Sequence, residues 1–164
     1  MIATEPVRIL IIDEHEVLRR GVKQILEEAF PHVDIGEADT GQKGLTAGRQ
    51  ERWDLAIVDV SLADQNGLEL LSELHSTAPL LPLMVLSLHP DEQYAIRAFR
   101  AGAMAYLPKQ TTLEQLARAV KLVLIGRMYV TASFGGRMAG NLSKSPPVRN
   151  VTQCPSENSK FLYC

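Results

Sequence analysis

The amino-acid sequence predicts an α/β fold: a doubly wound, five-stranded parallel sheet with helices on both faces. Three observations predict it. Runs such as Ile9-Leu10-Ile11-Ile12, Leu55-Ala56-Ile57-Val58 and Leu83-Met84-Val85-Leu86 are apolar throughout, as strands buried on both faces are. Between them lie stretches with apolar residues three and four apart, the period of a helix with one buried stripe. The connections are short, so alternating strands and helices imply parallel pairing with right-handed crossovers.

The elements follow in order. Arg8-Ile9-Leu10-Ile11-Ile12 is the first strand. The first helix carries Val17/Leu18, Val22, Ile25/Leu26 and Ala29/Phe30 at a spacing near four, and Pro31 stops it. Residues 33–38 form a second strand. Residues 41–52 form a weaker helix, because Gly44 and Gly48 lower its propensity. After the third strand at 55–58, residues 67–75 form a short helix with Leu68, Leu71 and Leu74 inward, and Pro79 and Pro82 follow its end. The fourth strand at 83–86 leads to a helix at 91–101, with Gly102 as its C-terminal stop. Ala105-Tyr106-Leu107 is the fifth strand. Thr111-Thr112-Leu113-Glu114 matches a capping box with Thr111 as N-cap. The last helix then runs to about Ile125, and Gly126 ends it. Beyond it, residues 128–142 have weak helical potential, and residues 143–164 read as a linker or tail rich in Ser, Pro, Asn and Lys.

Length and composition bound the function. A chain of 164 residues is one domain with a tail. A composition of 46% hydrophobic and 22% charged residues excludes a disordered or collagen-like chain. No apolar run approaches the roughly 18 residues of a membrane span, and the N-terminus lacks the basic and apolar regions of a signal peptide. The expected location is cytoplasmic. The two cysteines, Cys154 and Cys164, do not make a disulfide framework, and two isolated thiols are a poor metal site. Residues 1–126 carry a net charge of −6 and residues 127–164 a net charge of +4, so the main body alone is a poor binder of polyanions.

In open parallel sheets, sites form at the carboxyl ends of the strands. There stand Asp13 and Glu14 after strand 1, Asp59 after strand 3, Ser87 after strand 4 and Lys109 after strand 5. Two like charges about 4 Å apart repel by about 4 kcal/mol at an effective dielectric of 20. Three acids therefore need a counter-charge, which Lys109 supplies in part and a divalent cation supplies further. All-oxygen donors suit Mg²⁺, and no His or Cys at the core of this rim suggests zinc. A carboxylate beside such an ion can act as a nucleophile toward phosphorus. Singly, each of these residues reads as a cap, a turn residue or a surface charge. Their joint placement on one rim is the specific signal.

These residues carry a resemblance. Ile11-Ile12-Asp13-Glu14-His15, Ile57-Val58-Asp59-Val60 with Asn66-Gly67 following, Val85-Leu86-Ser87 and Gly102-Ala103-Met104-Ala105-Tyr106-Leu107-Pro108-Lys109 resemble the signatures of response regulator receiver domains, over about residues 7–126. Val17-Leu18-Arg19-Arg20-Gly21 and Gly126-Arg127-Met128-Tyr129-Val130 resemble the NarL/FixJ subfamily, whose members usually carry a LuxR-type helix-turn-helix domain after the receiver. The resemblance implies the flavodoxin-like receiver fold over 1–126, with 127–164 as linker or tail and no complete helix-turn-helix domain. It implies that Asp59 accepts a phosphoryl group from a sensor histidine kinase, and that Asp13, Glu14, Asp59 and the backbone carbonyl of Ser61 hold Mg²⁺. It further implies that Lys109 pairs with the phosphoryl oxygens, that Ser87 and Tyr106 form the switch, and that Ser61 and His89 flank the phosphoryl site. A homodimer on phosphorylation, and DNA contact only through the separate LuxR-type domain, complete the implied partners.

The chain departs from that pattern in four places, the largest of them at its end. Glu14 replaces the second Asp of the usual acidic pair. Leu62-Ala63 replaces a usual Met-Pro, so the loop after Asp59 is expected to be less rigid. Gln110, not Pro, follows Lys109, so no cis bond is expected there. Thirty-eight residues follow Gly126, against the roughly 60 that a three-helix DNA-binding unit needs. The rival readings are a stand-alone or degenerate receiver acting as a binding module and a true enzyme on a similar sheet. A dinucleotide enzyme should show Gly-x-Gly-x-x-Gly after strand 1, where Asp13-Glu14-His15-Glu16 stand instead. An Asp-dependent phosphohydrolase should place a second Asp two residues after the first, where Ser61 stands. The expected role is thus a phospho-switch, self-phosphorylating and self-dephosphorylating, not a metabolic enzyme.

Overall fold

The structure, a computed structural model, describes residues 5–88 and 92–131. The alternating strands and helices lie in one compact unit that ends at Tyr129. The weak helical potential at 132–142, the tail at 143–164 with its two cysteines, and His89 lie outside the described residues.

Strands and helices alternate: β1 Val7–Ile12, α1 Glu16–Ala29, β2 Val33–Ala38, α2 Gly41–Gln50, β3 Leu55–Asp59, α3 Gly67–Thr77, β4 Leu83–Ser87, α4 Glu92–Arg100, β5 Ala103–Pro108 and α5 Leu113–Leu124. A last, two-residue strand, β6 Tyr129–Val130, corrects the expected count of five. It is too short to leave an apolar pattern in the sequence. The sheet order is β2-β1-β3-β4-β5-β6, and β1 pairs in parallel with β2 and β3, β3 with β4, and β4 with β5.

The central strands β3 and β4 are buried along their whole length because both faces are covered, whereas the edge strand β2 carries Asp34 and Glu37 and is only partly buried. Ile9, Ile11, Leu55, Ile57, Met84, Leu86, Ala105 and Leu107 pack on one face with Leu26 of α1 and Leu116, Ala119, Val120 and Val123 of α5. On the alternate positions, Ile12 meets α2: a Cβ on Gly44 would sit 2.5 Å from its Cδ1, and one on Gly48 would sit 2.8 Å from Leu74 of α3. The two glycines that weaken α2 as an isolated helix therefore let it lie close against β1 and α3. Gly102 adopts φ +113 after α4, and Gly126 adopts φ +82 after α5, the left-handed stops expected there.

The cap of α5 differs from the expected one. Thr112, not Thr111, is the N-cap, accepting from the Gln115 backbone N–H, and the Gln115 side chain reaches back to Thr112. Thr111/Glu114 and Thr112/Gln115 are overlapping copies of one pattern. Thr111 is occupied elsewhere, donating its hydroxyl to Gln115 Oε1 at 3.0 Å. No peptide bond among the described residues is cis.

Candidate functional site

Parallel pairing brings the carboxyl ends of β1, β3, β4 and β5 to one rim. Asp13 directly follows β1, Asp59 and Ser87 are the last residues of β3 and β4, and Lys109 directly follows β5. The register aligns Ile12 with Val58 and Ser87 with Pro108, and the Lys109 N–H donates to the Ser87 carbonyl at 2.8 Å. Residues up to 96 positions apart thereby meet.

The centre of the rim is a buried cation between two buried acids. Lys109 Nζ lies 2.8 Å from Asp13 Oδ2 and 2.9 Å from Asp59 Oδ2, and the three side chains are 3%, 7% and 0% exposed. Lys109 donates a hydrogen bond to Asp13. Asp59 divides its two oxygens: Oδ1 accepts from the Ser61 N–H at 3.0 Å, while Oδ2 is buried and makes no hydrogen bond among the described residues. Its 2.9 Å approach to Lys109 is an ion pair without hydrogen-bond alignment. Two carboxylates thus share one ammonium, and one buried carboxylate oxygen retains capacity for another donor or a cation. Buried oxygens in that condition are rare in folded proteins.

The other expected residues are placed less uniformly. Ser87 is fully buried at the end of β4, and Tyr106 is buried in β5 beside Val85. Ser61 touches the site through its backbone N–H. Glu14 is half-buried and does not join the cluster of possible metal-binding atoms, which among the described residues consists of Asp13, His15 and Asp59 within 4.8 Å of one another. His15 corrects the expectation that no histidine stands at the core of the rim. Its Nδ1 is 3.1 Å from Asp13 Oδ1 and 3.8 Å from Asp59 Oδ2. The N-cap position of α1 turns it there, a placement the sequence signals only by adjacency to the acidic pair. The donor set, two carboxylates with one buried oxygen not hydrogen-bonded, fits a divalent cation such as Mg²⁺.

Two further residues make polar contacts around the rim, Arg19 to the Asp13 backbone and Asp64 to the start of α2. Arg19, from the Val17-Leu18-Arg19-Arg20-Gly21 motif, donates from Nη1 to the Asp13 carbonyl at 2.7 Å and from Nε to Glu37 Oε1 at 3.3 Å. Asp64, in the loop after Asp59, accepts from the Gly41 and Gln42 backbone N–H groups at 2.9 and 3.0 Å. Those two N–H groups hold its carboxyl below the usual aspartate range.

Comparison with known proteins agrees with this geometry. The response regulator receiver domain family matches residues 9–121. The DNA-binding transcriptional activator DevR/DosR of Mycobacterium tuberculosis is 34% identical over 151 residues, covering 89% of this chain and 69% of the relative. The nitrate/nitrite response regulator NarL of Escherichia coli is 31% identical, covering 91% and 70%. Among solved structures, a CheY-like response regulator receiver domain protein from Methanospirillum hungatei superposes with a TM-score of 0.70 at 29% identity, covering 74% of this chain and 96% of that one. No helix among the described residues is long and apolar enough to cross a membrane. On a family match spanning most of the chain and relatives above 30% identity, the chain belongs to the response regulator receiver domains of two-component systems, in the NarL/FixJ subfamily.

Proposed function

We propose that this protein is a phospho-switch in which Asp59 accepts a phosphoryl group from a phosphohistidine of a sensor histidine kinase. One observation carries the reading: the buried Asp59 Oδ2, not hydrogen-bonded, beside a Lys109 ammonium shared with Asp13. In the transfer, an Asp59 oxygen attacks phosphorus, the phosphorus–nitrogen bond of the donor breaks, and the imidazole leaves with that electron pair. The product is an acyl phosphate on Asp59. Lys109 faces the charge that accumulates on the phosphoryl oxygens. Asp13 and Asp59 would hold Mg²⁺, with the Ser61 carbonyl and with Glu14, which in this structure stands outside the Asp13–His15–Asp59 cluster. The ion supplies charge neutralisation at the phosphoryl oxygens. His15 stands beside Asp13 and Asp59 on the same rim, and Ser61, whose N–H reaches Asp59 Oδ1, flanks the phosphoryl group.

Phosphorylation adds close to two negative charges at one point. Ser87, at the end of the neighbouring strand, answers by hydrogen bonding to the phosphoryl group, and Tyr106 follows in the space on the same face. The surface of α4, β5 and α5 is biased as a result. Receiver domains of this family interact with sensor kinases and are signalling proteins, not metabolic enzymes. Output here is proposed to be transcription, through a LuxR-type DNA-binding domain distinct from the receiver at residues 1–126, with 127–164 as linker or tail and with dimerisation in the phosphorylated state. The names of the relatives support that output, since DevR/DosR is described as a DNA-binding transcriptional activator.

The test is intact-mass analysis after incubation with acetyl phosphate, with and without Mg²⁺. Wild type should gain one phosphoryl group only with Mg²⁺, and Asp59→Ala should gain none. Equal uptake by Asp59→Ala would remove Asp59 from the role.

A further inference from the structure

The loop between β3 and α3 begins at Asp59 and returns at Gly67. It is closed on itself: the Gly67 N–H donates to the Val60 carbonyl at 3.3 Å, and any Cβ on Gly67 would overlap the Val60 backbone. Asn66 caps α3 through the Leu68 N–H at 2.9 Å. Its outer turn is fastened to a different helix. Asp64 grips α2 with both carboxylate oxygens, Oδ1 on the Gly41 N–H and Oδ2 on the Gln42 N–H. The first turn of α2 needs partners for its free N–H groups. Thr40 serves only the Lys43 N–H, at 3.1 Å, so Asp64 serves two that the helix cannot cap from its own sequence.

We propose that Asp64 is a positioning residue for the phosphoacceptor site, holding the loop so that the Ser61 N–H stays on Asp59 Oδ1 and leaves Oδ2 available. This deepens the phosphoacceptor reading of Asp59 and rests on it. The path is short and contiguous: α2 amides, Asp64, the loop backbone, the Ser61 N–H, then Asp59 Oδ1. Leu62 is buried within the loop, whereas Ala63 is exposed. A rotation of the Asp59 carboxylate would bring Oδ1 and Oδ2 toward equivalence beside Lys109, and the Ser61 backbone would leave its place on the rim. Groups that orient the residues of a metal or reaction site commonly affect affinity or rate by about 10- to 100-fold.

The experiment compares Asp64→Ala with Thr40→Ala in the full chain. Thr40→Ala loses a hydrogen bond at the same helix end but leaves the loop untouched, so it controls for weakening of α2. Three quantities are read: the Mg²⁺ concentration for half-maximal phosphorylation by acetyl phosphate, the maximal rate, and hydrogen exchange at the Ser61 amide. Asp64→Ala should raise the half-maximal Mg²⁺ concentration and lower the rate, by about tenfold combined, and should speed Ser61 exchange. Thr40→Ala should leave all three near wild type. Asp64→Asn, which can still accept one of the two amides, should fall between. If Asp64→Ala matches Thr40→Ala in all three readings, Asp64 is a helix cap only and the proposal is overturned. A wild type that takes up no phosphoryl group overturns the phosphoacceptor reading and this proposal together. A wild type that does, with the two variants alike, overturns this proposal alone.

Discussion

At opposite ends of β1, one cation bridges two carboxylates. Beyond its carboxyl end, Lys109 lies 2.8 and 2.9 Å from Asp13 and Asp59. Near its amino end, Arg8 lies 2.9 and 2.8 Å from Asp34 and Glu51. The distances are nearly the same and the surroundings are opposite. Arg8, Asp34 and Glu51 are 33%, 53% and 52% exposed, and each guanidinium nitrogen of Arg8 donates a hydrogen bond. Its Nη1 donates to the Arg52 carbonyl at 2.8 Å, and its guanidinium sits 4.4 Å above the Trp53 ring. The two carboxylates push its pKa further above the usual value. The Lys109 group is buried and incompletely hydrogen-bonded. An ion pair in water adds little stability because solvent competes for both charges. A buried one is costly to break because each charge left behind lacks a partner. The same contact geometry is therefore a surface fastening at one end and a source of stored charge at the other. Only the buried end carries the acyl-phosphate site proposed above.

The largest effect should come from Lys109→Ala. Removing the shared ammonium leaves Asp13 and Asp59 facing each other, and loss of one member of a buried ion pair costs about 3–5 kcal/mol. Denaturant unfolding without divalent cations should show a loss of that order. Added Mg²⁺ should restore more stability to this variant than it adds to wild type, since the ion replaces the missing counter-charge. Equal gains in both proteins would separate the metal from this acid pair. Arg8→Ala should cost much less, and its effect should shrink as salt is raised. A salt-independent loss would assign the role of Arg8 to packing on Trp53.

The smallest expected effect is the acid limb of stability set by Asp64. Its carboxyl is held below the usual aspartate range by the Gly41 and Gln42 N–H groups. A group whose folded pKa is depressed contributes stability that is full above its unfolded pKa and is lost as pH falls through the folded one. The stability difference between wild type and Asp64→Asn should therefore be constant near neutrality and should narrow below the ordinary aspartate range. A difference that stays unchanged on acidification would mean that the carboxylate charge adds nothing to the cap.

By itself, the sequence determined the alternation of strands and helices, the parallel sheet and the rim on which Asp13, Asp59, Ser87 and Lys109 stand. Those features are local: an apolar run, a helical period and the residue that ends a strand are all read within a few positions. Tertiary structure decided what depends on contacts across the chain. Gly44 and Gly48 weaken a helix in isolation, and only the closeness of Ile12 and Leu74 shows why α2 tolerates them. His15 follows the acidic pair in sequence, but its approach to Asp59 is set by the pairing of β1 with β3. The hydrogen bonds of Asp64 to the start of α2, across 22 and 23 positions, leave no signal in the local sequence. The N-cap of α5 at Thr112 and the two-residue β6 were ambiguous or silent in the sequence, because overlapping cap patterns and very short strands carry too little periodic signal. Charge meets charge at the rim for the same reason. Covalent order puts Asp13 and Lys109 at opposite ends of the domain, and the parallel sheet brings them to 2.8 Å.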